Sequence, residues 1–101
     1  MRVPADRKRT HLGEVLRENF VIPMGLTQQE LADATRVPFE RVNDIVRGRR
    51  SMSASTALRI ARYLGTSAGF LMNLQLRYDL YKTEQSEKEV LEEIKPSYIP
   101  S

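Results

Sequence analysis

With 101 residues, of which 41% are hydrophobic and 29% charged, the chain is sized for one globular domain with a modest core and not for two. It has no cysteine, which excludes disulfides and thiolate metal sites, and no apolar run approaches the roughly 18 residues needed to span a bilayer. The net charge of +3 hides an asymmetry: residues 1–82 carry 14 Lys/Arg against 8 Asp/Glu, whereas residues 83–101 carry 2 against 5.

Residues 1–10 read as a basic N-terminal arm. Met1 to Arg9 lacks the apolar stretch that follows the basic start of a secretory signal, so a cytoplasmic location is expected. A first helix is predicted from His11, its N-cap, with Glu14 at the third helical position completing a variant capping box. Leu12, Val15, Leu16, Asn19 and Phe20 fall on one stripe, and Pro23 and Gly25 stop the helix.

Thr27-Gln28-Gln29-Glu30 has the Thr-x-x-Glu pattern of a capping box and opens a second, short helix, with Leu31, Ala32 and Ala34 as its apolar face. A break at Thr35 to Pro38 follows, and Pro38 suits the first turn of a third helix, Pro38 to about Arg47. That helix buries Val42, Ile45 and Val46, and Gly48 supplies the left-handed position past its end. After the loop Arg49 to Met52, Ser53 caps a fourth helix with Ala57, Ile60, Ala61 and Leu64 at helical spacing, ending at Gly65.

Ser67 caps a fifth helix that runs to about Tyr81. Its apolar positions form two stripes: Phe70, Leu74 and Tyr81 on one side, Met72, Leu76 and Leu80 on the other. A protomer of this size needs only one stripe buried, so Met72, Leu76 and Leu80 are read as a homodimer interface; a C-terminal segment folding back over them is the alternative. Residues 83–101 form an acidic tail. It has a weak helical pattern, Val90, Leu91 and Ile94, ended by Pro96 and Pro100, and is expected to order on a partner.

The pair of short helices over residues 27–48 is the feature with functional content. Ala32 stands where the two helices cross, and Val37, Val42 and Ile45 fill the angle between them. The third helix is thereby fixed as a protruding rod able to enter a DNA major groove, about 12 Å wide. With its apolar residues turned inward, the rod displays Glu40, Asn43, Asp44 and Arg47. Asn43 suits bidentate pairing with adenine, and Arg47 suits guanine or phosphate. Arg41 flanks this face. Glu40 and Asp44, repelled by phosphate, fit the reading as acceptors from cytosine amino groups or as partners holding Arg41 and Arg47. Gln28 at a helix N-terminus, and Arg49 and Arg50 beyond the rod, are placed to grip phosphates.

Several separated segments carry a family resemblance. Thr27-Gln28-Gln29-Glu30-Leu31-Ala32, Val37-Pro38 and the run Arg41 to Arg50 resemble the phage-repressor (XRE/Cro) helix-turn-helix. Together with His11-x-Gly13-Glu14-Val15-Leu16, Thr56-Ala57-Leu58-Arg59, Phe70-x-x-Asn73-Leu74-Gln75 and Tyr78-Asp79-Leu80, they are similar to the HigA antitoxins over about residues 10–81. The resemblance implies an all-α, five-helix, lambda-repressor-like DNA-binding domain over residues 11–82. It also implies an antitoxin and autorepressor that neutralises a HigB-like mRNA-cleaving toxin and binds double-stranded operator DNA through Gln28, Phe39, Glu40, Arg41, Asn43, Asp44, Arg47, Arg49 and Arg50. Two departures stand out. Arg36 occupies the turn position where this motif usually has glycine, at a cost of roughly 1 kcal/mol if the turn keeps its left-handed geometry. Leu12 and Leu71 replace a proline and a tryptophan frequent in the family.

A stand-alone repressor without a toxin, and a purely protein-binding inhibitor whose acidic third-helix residues meet a basic partner, are the competing readings. An enzyme is not expected. His11 is the only histidine, and no nucleophile–base pair, phosphate-binding glycine loop, metal-ligand cluster or cofactor motif is present.

Overall fold

The structure is a computed structural model and describes residues 10–97, so the predicted arm, Thr10 apart, lies outside the described residues. Among these residues all regular structure is helical: α1 (Leu12–Leu16) running into a wide turn (Arg17–Val21), α2 (Gln28–Thr35), α3 (Phe39–Val46), α4 (Ala54–Leu64), α5 (Ala68–Ser86) and α6 (Lys88–Glu93). The sixth helix and the longer fifth are departures from the five-helix expectation. The residues after Tyr81 (Lys82, Thr83, Glu84, Gln85) contain no breaker and include several strong helix formers, so α5 continues beyond the point where its apolar spacing stops.

Each helix start is fixed locally. His11 caps α1 through Nδ1, which accepts from the Gly13 N–H at 2.8 Å; no bond returns from Glu14, so the reciprocal half of the expected box does not form. At α2 both halves form: Thr27 Oγ1 accepts from the Glu30 N–H and Glu30 Oε1 from the Thr27 N–H, at 3.0 and 2.9 Å. Ser53 and Ser67 cap α4 and α5 through the side-chain half alone, accepting from the Thr56 and Phe70 N–H groups. Pro38 sits just outside α3 as its N-cap instead of within the first turn.

Between α1 and α2 the chain makes a π-type turn, in which the Ile22 N–H reaches back to the Arg17 carbonyl. One extra residue in the turn rotates the following side chains, so Val21 is buried while Asn19 is exposed and Phe20 only half-buried. A uniform helical stripe does not anticipate this. The small-residue face of α2 is likewise corrected: Ala34 is exposed and Thr35 takes its place, its hydroxyl donating to the Leu31 carbonyl at 2.7 Å.

One core joins α1 to α5. Leu12, Leu16, Leu31, Val42, Ile45, Met52, Ile60 and Leu71 are its largest buried apolar side chains, and Val21, Ala32, Val37, Ala57, Ala61 and Leu64 complete it. Leu71 belongs to neither of the two stripes expected on α5, yet it is the helix's one fully buried residue. Gly13 lets α1 lie directly on the end of α3: a Cβ there would collide with the carbonyl oxygens of Ile45 and Val46. Of the departures from the family pattern, Leu12 and Leu71 are core residues.

Candidate nucleic-acid interface

α2 and α3 are joined by a turn whose geometry is set by Arg36, at φ 58° and ψ 39°. Its N–H reaches the Asp33 carbonyl, and the next N–H, of Val37, reaches the Ala32 carbonyl. This is a Schellman ending with arginine where glycine is usual. The left-handed geometry is therefore kept despite the substitution. The Arg59 guanidinium, from α4, donates to the Arg36 carbonyl at 2.8 Å and ties the turn to the body. Below the turn, Val37, Val42 and Ile45 are buried, as the wedge between the two helices requires, and Val46 is half-buried.

With that face held inward, α3 presents Phe39, Glu40, Arg41 and Arg47 to solvent, and Asn43 and Asp44 half-buried beside them. The far end of α3 closes in a second Schellman arrangement. Gly48, at φ 77°, donates to the Ile45 carbonyl, and Arg49 donates to the Asp44 carbonyl at 2.7 Å. That closure turns the chain so that Arg49 and Arg50 follow the rod directly, and both are exposed.

Gln28, the first residue of α2, is half-buried and meets α3. Its Oε1 accepts from Asn43 Nδ2 at 2.9 Å. The bond joins the N-terminus of α2 to the middle of α3 and leaves Asn43 with its carbonyl oxygen and a second N–H, the two groups an adenine edge pairs with. Among the described residues, Glu40 and Asp44 form no ion pair with Arg41 or Arg47. The idea that they hold those arginines in place is not met in the free protein, and their acceptor oxygens remain available.

Two features of this region went unread in the sequence. One is the Gln28–Asn43 bond. The other is Gln75, on α5, whose side-chain oxygen accepts from the Met52 N–H at 2.6 Å while its NH₂ donates to the Met52 carbonyl at 3.0 Å. Each joins positions far apart in the chain, and no local pattern signals such a pair. Of the residues expected at a dimer interface, Leu76 and Leu80 are exposed, whereas Met72 packs partly against the protomer's own core.

The helix-turn-helix family matches residues 16–71. The chain is 42% identical over 93 residues to virulence-associated protein I of Dichelobacter nodosus, covering 89% of this chain and 86% of that one. It is 31% identical over 93 residues to antitoxin HigA-1 of Vibrio cholerae, covering 92% and 88%. Among solved structures, the Pseudomonas aeruginosa antitoxin HigA with the higBA promoter superposes with a TM-score of 0.83 at 41% identity, covering 89% of this chain and 99% of that one.

Proposed function

The chain belongs to the helix-turn-helix family and, within it, to the HigA antitoxins, and from that premise we propose that it is a DNA-binding antitoxin that represses its own operon. The observation that carries the reading is the arrangement at α3: an exposed helix, held at both ends by left-handed turns, with Asn43 oriented by Gln28 and flanked by Arg41, Arg47, Arg49 and Arg50. A rigid donor–acceptor set of this kind suits base edges, and the arginines suit the phosphates on either side. The promoter-bound Pseudomonas HigA, which shares this fold over nearly its whole length, supports DNA as the ligand.

In this reading Asn43 and Arg47 contact bases, Gln28, Arg49 and Arg50 contact phosphates, and Phe39, Glu40, Arg41 and Asp44 border the contact. Two copies, paired through the exposed Leu76 and Leu80 of α5, present two α3 helices to half-sites about 34 Å apart or a multiple of that. The protein acts in the cytoplasm without catalysing a reaction. A HigB-like toxin, an mRNA nuclease, is its protein partner. No helix among the described residues is long and apolar enough to cross a membrane.

Binding of the purified chain to the DNA upstream of its own gene tests this. Asn43→Ala is expected to cost about 1–3 kcal/mol and to relax selectivity at one base position. Unchanged affinity and selectivity in a gel shift would remove Asn43 from the interface. Co-purification with a basic protein of about 100 residues encoded next to it tests the toxin partner.

A further inference from the structure

The loop that follows the recognition helix carries two of the arginines assigned to phosphate, but α3 and α4 do not hold it by themselves. The Schellman bonds fix Gly48 and Arg49, and Ser53 begins the cap of α4. Between them, Arg50 and Ser51 are exposed and carry no backbone bond to either helix. Met52 is the one anchored point. Its side chain is in the core at 2% exposure, and both its N–H and its carbonyl are taken by the Gln75 amide of α5.

A primary amide that accepts from one backbone N–H and donates to the same residue's carbonyl acts as a neighbouring strand would. It fixes the orientation of the backbone at Met52 as well as its position. The direction in which the chain leaves Met52 toward Arg50 follows from that orientation.

We propose that Gln75 is a positioning residue for DNA binding: through its two bonds to Met52 it holds the Arg49–Ser51 loop in the geometry in which both arginines meet phosphate. The proposal rests on the reading of that loop as a phosphate contact. Gln75 itself does not touch DNA; it acts through Met52, from a helix position 23 residues further along the chain.

The experiment measures the affinity of the full chain for duplex DNA spanning its own promoter across a salt series. It compares wild type, Arg49→Ala/Arg50→Ala, Gln75→Met and the triple variant. Losing two phosphate contacts in each of the two copies should lower the slope of log K against log salt by about 3.6 in the arginine double variant. Gln75→Met, which keeps the length of the side chain without its bonds, should lower the slope comparably, weaken binding by about tenfold, and add nothing to the double variant. In the DNA-free protein it should also speed trypsin cleavage after Arg49 and Arg50 severalfold. Should Gln75→Met fail to fold, Gln75→Glu keeps the acceptor for the Met52 N–H and loses the donor, and its cleavage rate should fall between the two.

An unchanged salt slope in Gln75→Met, a loss that multiplies with that of the double variant, or cleavage no faster than wild type overturns the proposal. If the wild type binds and Arg49→Ala/Arg50→Ala matches it in affinity and slope, the loop is not a phosphate contact. The parent assignment then fails along with the proposal, a pattern distinct from failure of Gln75 alone.

Discussion

α4 and α5 are neighbours in sequence, begin with the same serine cap and pack against each other, yet they bury very different shares of their residues. α4 buries five of its 11 residues, Thr56, Ala57, Ile60, Ala61 and Leu64, on one continuous face. α5 buries one of 19, Leu71, and leaves Phe70, Leu76 and Leu80 between 43% and 60% exposed. The face of α4 formed by Ala57, Ile60, Ala61 and Leu64 is satisfied inside the protomer, while Leu58, 63% exposed, and Tyr63 lie off it. On α5 the N-terminal part closes the core and the remainder projects past it, so its leucines are an unsatisfied surface of the kind that a partner covers. α4 thus closes the core along most of its length, and α5 closes it chiefly at Leu71.

That contrast can be broken most directly at the core positions. Leu71→Ala and Ile60→Ala should each destabilise the protein by about 2–5 kcal/mol in denaturant unfolding, because each empties a fully enclosed site. A loss at Leu71 no greater than at exposed Leu80 would erase the distinction drawn along α5.

Gly13→Ala comes next, at about 1–3 kcal/mol, since the added methyl group collides with the backbone of Ile45 and Val46 and pushes α1 off α3. The same variant should weaken promoter binding, because α3 is held from behind by α1; a melting temperature equal to wild type would contradict this packing.

A smaller effect of opposite sign is expected at the turn before α3. Arg36→Gly removes the strain of a side chain at φ 58° and should stabilise the protein by about 0.5–1 kcal/mol, while the Arg59 bond to the backbone carbonyl is retained. A thermal melt shifted downward would show that the arginine side chain contributes something glycine cannot.

The smallest effect on folding belongs to the exposed end of α5. Leu76→Ser with Leu80→Ser should leave helicity unchanged and shift protomer stability by less than about 0.5 kcal/mol. Sedimentation should nevertheless move from dimer toward monomer. A dimer that survives the double substitution would place the self-association surface elsewhere and sharpen the question of what covers these leucines.

The segment from Thr27 to Gly65 was the most legible part of the chain, and the reason is that its signals are local. The capping box at Thr27, the serine at Ser53, the glycines at Gly48 and Gly65 and the spacing of Ala57, Ile60, Ala61 and Leu64 all act within a turn or two of themselves. The outward set on α3 followed from the same spacing. Asn19 and Ala34 were misplaced where the local period is interrupted, by a π-type turn in one case and by a threonine able to satisfy its own hydroxyl in the other.

By itself, then, the order of residues determined where helices begin and end around the recognition motif and which side of α3 turns outward, because caps and 3.6-residue spacing depend only on near neighbours. Only the tertiary structure decided that Leu71 and not Phe70 closes the core, that Gln28 orients Asn43, and that Gln75 grips Met52. The two side-chain pairings span 15 and 23 positions, and their partners become neighbours only after the helices have packed.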